Sequence, residues 1–116
     1  MVEKSYSFAL QIIGIYKFLI SEKKEFVLSK QLLRCGTSFG ANIYEAVASE
    51  SKRDFIHKLG ISLKESRETS YWLQLLKDSE YINPEQFLKL NTLCDELIRI
   101  LNSIILTTKE RYFKAS

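Results

Sequence analysis

The chain has 116 residues, 46% of them hydrophobic and 27% charged, a balance that supports one buried core and excludes a disordered or fibrous protein. Its net charge of +3 is too mild to argue for a polyanionic partner by itself, although a symmetric oligomer would multiply it. Cys35 and Cys94 lie far apart in no CxxC or secreted-domain spacing, so buried, reduced thiols in a cytoplasmic protein are the expectation.

One domain spanning residues 1–116 is expected, made of four helices with no strand alternation. The first runs from about Ser5 to Ser21, with Phe8, Ile12, Ile15 and Leu19 on one face. Lys17 interrupts its apolar run and no small-x-small site follows, which argues against a secretory leader. The segment Ser21 to Glu25 is its exit. The second helix spans about Phe26 to Val47 and presents Leu28, Leu32, Cys35, Phe39, Ile43 and Ala46 as a stripe. Gly36 and Gly40 thin the middle of that stripe, and Gly60 stands inside the next helix. Each costs about 1 kcal/mol relative to alanine in a helix, which suggests close approach of helix backbones.

Ser51 is the expected N-cap of the third helix, whose seam is Phe55, Leu59, Ser62, Ser66, Thr69, Leu73 and Leu76. Those small residues predict close packing against the glycine-bearing second helix. Asn83, Pro84 and Gln86 then form a capping-box start for the fourth helix. Its seam is Phe87, Leu90, Cys94, Leu97, Leu101 and Ile104, while Leu93, Ile98, Ile100 and Ile105 widen the apolar face beyond what one seam needs. A helix apolar over so much of its circumference either sits centrally or buries a second stripe against another subunit, and these four residues are the candidate oligomer interface. Lys89, Asp95, Glu96 and Arg99 keep this helix out of a bilayer. Short connections favour an all-α, antiparallel up-down-up-down four-helix bundle.

The motifs G-A-N-I-x-E-A (Gly40 to Ala46), S-K-x-D-F-I-H-K-L (Ser51 to Leu59) and L-K-E-x-R-E-T-x-Y-W-L (Leu63 to Leu73) resemble the four-helix bundle family of the 23S rRNA intervening-sequence proteins. The likeness covers most of the chain. Gly60 and Ser66 depart from the usual serine and alanine, but both changes stay small. The resemblance implies a cyclic homopentamer in a family whose cellular role is mostly unassigned. A similar protein, the accessory variability determinant of diversity-generating retroelements, is a basic pentamer that works with a reverse transcriptase and binds nucleic acid. The partners implied are further copies of the chain, RNA or DNA, and a reverse transcriptase or other protein.

Arg53, His57, Lys64 and Arg67 fall at helical spacings that line one face of the third helix with Gly60 and Tyr71. Lys30, Arg34, Lys52 and Lys58 lie nearby in sequence or on the preceding helix. Together these eight residues are the candidate nucleic-acid-binding set, with a solvated face partly neutralised by Asp54, Glu65 and Glu68 as the plainer alternative. Asn42, Glu45, Glu65 and Glu68 are expected to form a structural polar network, with Arg34 or Arg67 as the donor. Tyr71 and Trp72 could stack on bases, but at their spacing from Leu73 and Leu76 they more often complete a core or subunit contact. Tyr6, Tyr16 and Tyr44 read as amphipathic interface residues. The chain has one histidine, His57, with no glutamate three residues before it, so no carboxylate-bridged metal site is expected. No catalytic residues and no cofactor are expected either. The rival to a nucleic-acid-binding oligomer is a structural or protein-interaction module whose positive charges only solubilise it.

Overall fold

The computed structural model describes residues 1–113. Among these, four helices and no strand are present: α1 (Val2–Ser21), α2 (Leu28–Val47), α3 (Lys52–Asp78) and α4 (Pro84–Tyr112). Each forms where apolar or small residues recur three and four apart, and the resulting stripes are buried: Phe8, Ile12, Ile15 and Leu19 on α1, and Leu32, Cys35, Phe39 and Ile43 on α2. On α3 the stripe is Leu59, Ser62, Ser66, Thr69, Leu73 and Leu76; on α4 it is Leu90, Cys94, Leu97 and Leu101.

The helix starts have distinct chemistry. Ser51 accepts from the Asp54 amide at 3.0 Å, and Asn83 with Gln86 makes a reciprocal capping box at 2.7 and 2.9 Å. The start of α2 differs from expectation, two residues later than Phe26, because the cap comes from the loop. The Glu25 carboxylate accepts from the amides of Val27, Leu28 and Ser29 at 3.0, 2.8 and 2.6 Å, and the Ser29 hydroxyl donates back to the Glu25 carbonyl. Glu25 is therefore a buried carboxylate with a structural job. At the end of α3, Glu80 takes φ 65°, which lets the Tyr81 and Glu80 amides close back on Leu76 and Lys77.

Contacts join α1 to α2, α2 to α3, α3 to α4 and α1 to α4, enclosing one core in a rod of 55 × 21 × 21 Å. In the side-chain pairs between α2 and α3 and between α3 and α4, residue numbers rise on one helix as they fall on its neighbour. Lys58 meets Glu45, Ser62 meets Phe39 and Arg34 meets Glu65 and Glu68; across the next seam Ser66 meets Cys94 and Ser70 meets Asn91. The α1–α4 side is the most sparsely made, and there, beside Gln86, Lys89 and Leu90, the Gln11 side-chain oxygen is buried with no hydrogen-bond partner among the described residues.

Two of the three glycine expectations need a different neighbour. A Cβ on Gly36 would stand 2.9 Å from both Cγ atoms of Ile12, and one on Gly40 would stand 3.4 Å from the Ser5 carbonyl. The nested pair is thus α1–α2, not α2–α3. The α2–α3 contact relies on serine instead: the Ser62 hydroxyl donates to the Phe39 carbonyl at 2.6 Å, which gives the buried hydroxyl a partner across the two helices. Gly60 corrects the expectation outright, since it is exposed and a Cβ there would meet nothing within 4 Å.

Candidate nucleic-acid interface

The 3.6-residue period of α3 buries Leu59, Ser62, Ser66, Thr69 and Leu73, and so turns Arg53, His57, Gly60, Lys64, Arg67 and Tyr71 to the opposite side. All six are exposed. The row rises about 27 Å from Arg53 to Tyr71 at 1.5 Å per residue. Among the described residues no carboxylate lies within ion-pair distance of Arg53, His57, Lys64 or Arg67. Four cationic or protonatable side chains therefore share one open strip with no carboxylate bound to it.

The other four candidates divide. Lys52 sits over the Tyr112 ring at 4.8 Å, near the foot of the strip, and Lys30 is exposed on α2. Lys58 and Arg34 are committed elsewhere. Lys58 pairs with Glu45 at 3.2 Å, and Arg34 bridges Glu65 and Glu68 at 3.3 and 2.5 Å. Burial would lower the Arg34 pKa, but Glu68 and Glu65 outweigh it and raise it, so this guanidinium acts as a clamp between α2 and α3. A surface hollow between Arg53, Ile56, Lys109 and Phe113 adds Lys109 of α4 to the foot of the strip. No sequence pattern ties Lys109 to α3; it arrives only because the helices pair.

The expected polar network is split. Glu65 and Glu68 share Arg34, and the Trp72 indole donates to Glu68 at 3.4 Å. Glu45 instead meets Lys58 at the surface, and Asn42 donates to the Ser38 carbonyl of its own helix at 2.9 Å. The two thiols are remote from chemistry. Burial pushes Cys35 up to about 11 and Cys94 up to about 12, so both are protonated at neutral pH, while His57 is exposed. Among the described residues, no three His, Cys, Asp or Glu side chains converge, and no helix is long and apolar enough to cross a membrane.

The flank of α4 is less open than its sequence suggests. Leu93, Ile98 and Ile105 are half-buried against the chain's own core, and Ile100 is half-buried beside them. Exposed apolar side chains lie instead at Leu88 and Leu106 of α4 and along α1 and α2. There Tyr6 (67% exposed) and Tyr44 (71%) wall a shallow hollow of about 430 Å³ floored by Ala9, Thr37, Gly40 and Ala41.

The sequence model of the 23S rRNA-intervening sequence proteins matches residues 1–103. The chain belongs to the 23S rRNA-intervening sequence protein family. A solved structure of a protein of unknown function from the S23 ribosomal protein family of Bacteroides thetaiotaomicron VPI-5482 is similar to it. That protein shares 54% identity, covers 90% of this chain over 96% of its own length, and superposes with a TM-score of 0.88. Comparison with curated proteins gives no match. At that identity, this family member and its neighbour share the helical frame on which the basic strip is displayed.

Proposed function

We propose that this family member is a cytoplasmic, non-enzymatic bundle of antiparallel up-down-up-down helices that assembles as a cyclic homo-oligomer and binds RNA or DNA through the outer face of α3. One observation carries the binding half: Arg53, His57, Lys64 and Arg67 lie on one exposed strip, with no carboxylate within ion-pair distance among the described residues. The unneutralised positive charges of Arg53, Lys64 and Arg67 raise the local potential, which a polyanion laid along the strip would offset. The falling-against-rising residue pairs support the antiparallel arrangement, and the family resemblance supports five copies and a protein partner such as a reverse transcriptase. Repetition around a ring would set several such strips on one particle and raise the local potential above what +3 per chain supplies.

Fluorescence anisotropy with RNA and DNA oligonucleotides across a salt series tests this reading. Affinity should fall steeply with salt, with a log–log slope of about −0.7 to −0.9 per phosphate contacted. The double charge reversal Arg53→Glu/Lys64→Glu should weaken binding at least tenfold at low salt and leave the helical circular-dichroism signal intact. Absence of binding at low salt contradicts the proposal. The second reading, a protein-interaction module, is favoured by the α1–α2 hollow between Tyr6 and Tyr44, which offers an apolar surface of the kind an amphipathic helix covers.

A further inference from the structure

We infer that the α3 strip takes single-stranded nucleic acid, with Tyr71 stacking on an unpaired base at the end of the cation row. This deepens the nucleic-acid reading above and rests on it.

Tyr71 follows Arg67 by four residues, so its ring stands on the same strip about 6 Å further along the helix. It is 59% exposed, and among the exposed aromatic rings it is the one in register with the cation row of α3. Its orientation is nonetheless supported. The Trp72 ring meets it edge-on, with centroids 5.1 Å apart and planes at 76°. Trp72 is itself half-buried against the core and donates its indole N–H to Glu68, which Arg34 holds from α2. A clamp reaching across two helices thus backs the ring, and ordering it on a ligand costs little further side-chain entropy.

Single strand and duplex differ in what they can offer such a ring. In a duplex the flat faces of the bases are already stacked on one another, and only edges and phosphates remain. An unpaired strand presents base faces, and each base stacked on an aromatic side chain adds roughly a tenfold increment in affinity or more, with little regard to sequence. Gly60 serves the same purpose at the centre of the row. A Cβ there would meet nothing within 4 Å, so the helix surface between His57 and Lys64 is a shallow gap in which a strand can lie close to the backbone. Cations on either side of that gap hold phosphates, and the tyrosine at the end holds a base.

The test uses the full chain and fluorescein-labelled oligo(dT) and oligo(U) of about 20 nucleotides, beside a mixed-sequence duplex of the same length. The wild type should bind the single strands about tenfold more tightly than the duplex. Tyr71→Ala should remove about tenfold from single-strand affinity, leave duplex affinity and the salt slope unchanged, and Tyr71→Phe should restore the loss. Trp72 is the chain's single tryptophan, so its emission should change on titration with oligo(dT) and should not respond in Tyr71→Ala. Wild-type binding that Tyr71→Ala leaves untouched, or a preference for the duplex, overturns the stacking assignment and leaves the basic strip standing. A lower particle mass for Tyr71→Ala in light scattering would assign the ring to a subunit contact and overturn it equally. No binding to any probe overturns this inference together with the reading beneath it.

Discussion

The α1–α2 junction and the outer face of α3 both carry glycine within an α-helix, and the two glycines do opposite things. At the junction, Gly36 is buried and lets Ile12 approach until a single added carbon would stand 2.9 Å from it. On α3, Gly60 is exposed among Arg53, His57, Lys64 and Arg67, with open space where its Cβ would be. The residues that share a glycine's stripe decide the matter. Gly36 shares its side with Leu32, Phe39 and Ile43, all at 0% exposure, whereas Gly60 shares its strip with cations. A glycine in a helix marks a close approach only when its helical neighbours are apolar; among charges it marks a gap in an open surface.

The largest expected effect breaks the junction. Gly36→Val should cost about 2–3 kcal/mol in urea unfolding, because the Ile12 Cγ atoms are fixed by a branched side chain in a full core. Combined with Ile12→Ala it should cost less than the sum of the two single changes, since the second removes the atoms the first collides with. Additive costs would place the strain elsewhere.

Next in size is the loop that delivers α2 to α1. Glu25→Ala should cost about 1–2 kcal/mol by leaving the amides of Val27, Leu28 and Ser29 uncapped. Burial alone would raise the Glu25 carboxyl, but the amides of Leu28, Ser29 and Val27 and the Ser29 hydroxyl outweigh it and hold it below its ordinary value of 4.5. A group lowered by folding contributes its full stability above the unfolded pKa and loses it as pH falls through the folded one. Wild-type stability should therefore decline as pH drops below about 4.5, and Glu25→Gln should flatten that part of the profile. An unchanged profile would mean the cap contributes nothing.

The smallest effect has the opposite sign and sharpens the contrast. Gly60→Ala should stabilise the protein by about 1 kcal/mol, through helix propensity alone, because the new methyl meets no neighbour. Destabilisation there would mean that this face is covered.

Much of the frame is legible in the sequence, for reasons tied to particular residues. Seam positions such as Phe8, Phe39 and Leu97 announce themselves because a 3.6-residue period can be counted. Ser51 and the Asn83–Pro84–Gln86 start are local and self-contained, so their caps need only adjacent residues. The Glu25 cap is equally local, two to four residues from the amides it holds, but glutamate is not one of the residue types that mark a helix start, so in sequence it resembles an ordinary surface carboxylate. Partner choice was equally hidden: nothing local to Gly36 says whether Ile12 of α1 or a residue of α3 lies opposite. The same blindness applied to the site. Arg34 and Lys58 looked as available as Arg53 and Lys64 until the helices paired and gave them Glu65, Glu68 and Glu45. Lys109 joined the foot of the strip only through the α3–α4 contact.

The most direct measurement of the central claim is photo-cross-linking of the full chain to oligonucleotides carrying 4-thiothymidine, with the attached residues mapped by mass spectrometry. Attachments should concentrate between Arg53 and Tyr71 and disappear at high salt, while the Tyr6–Tyr44 hollow stays unmodified. Attachments concentrated on α1 and α2, or none above background at low salt, would contradict the assignment of the α3 face.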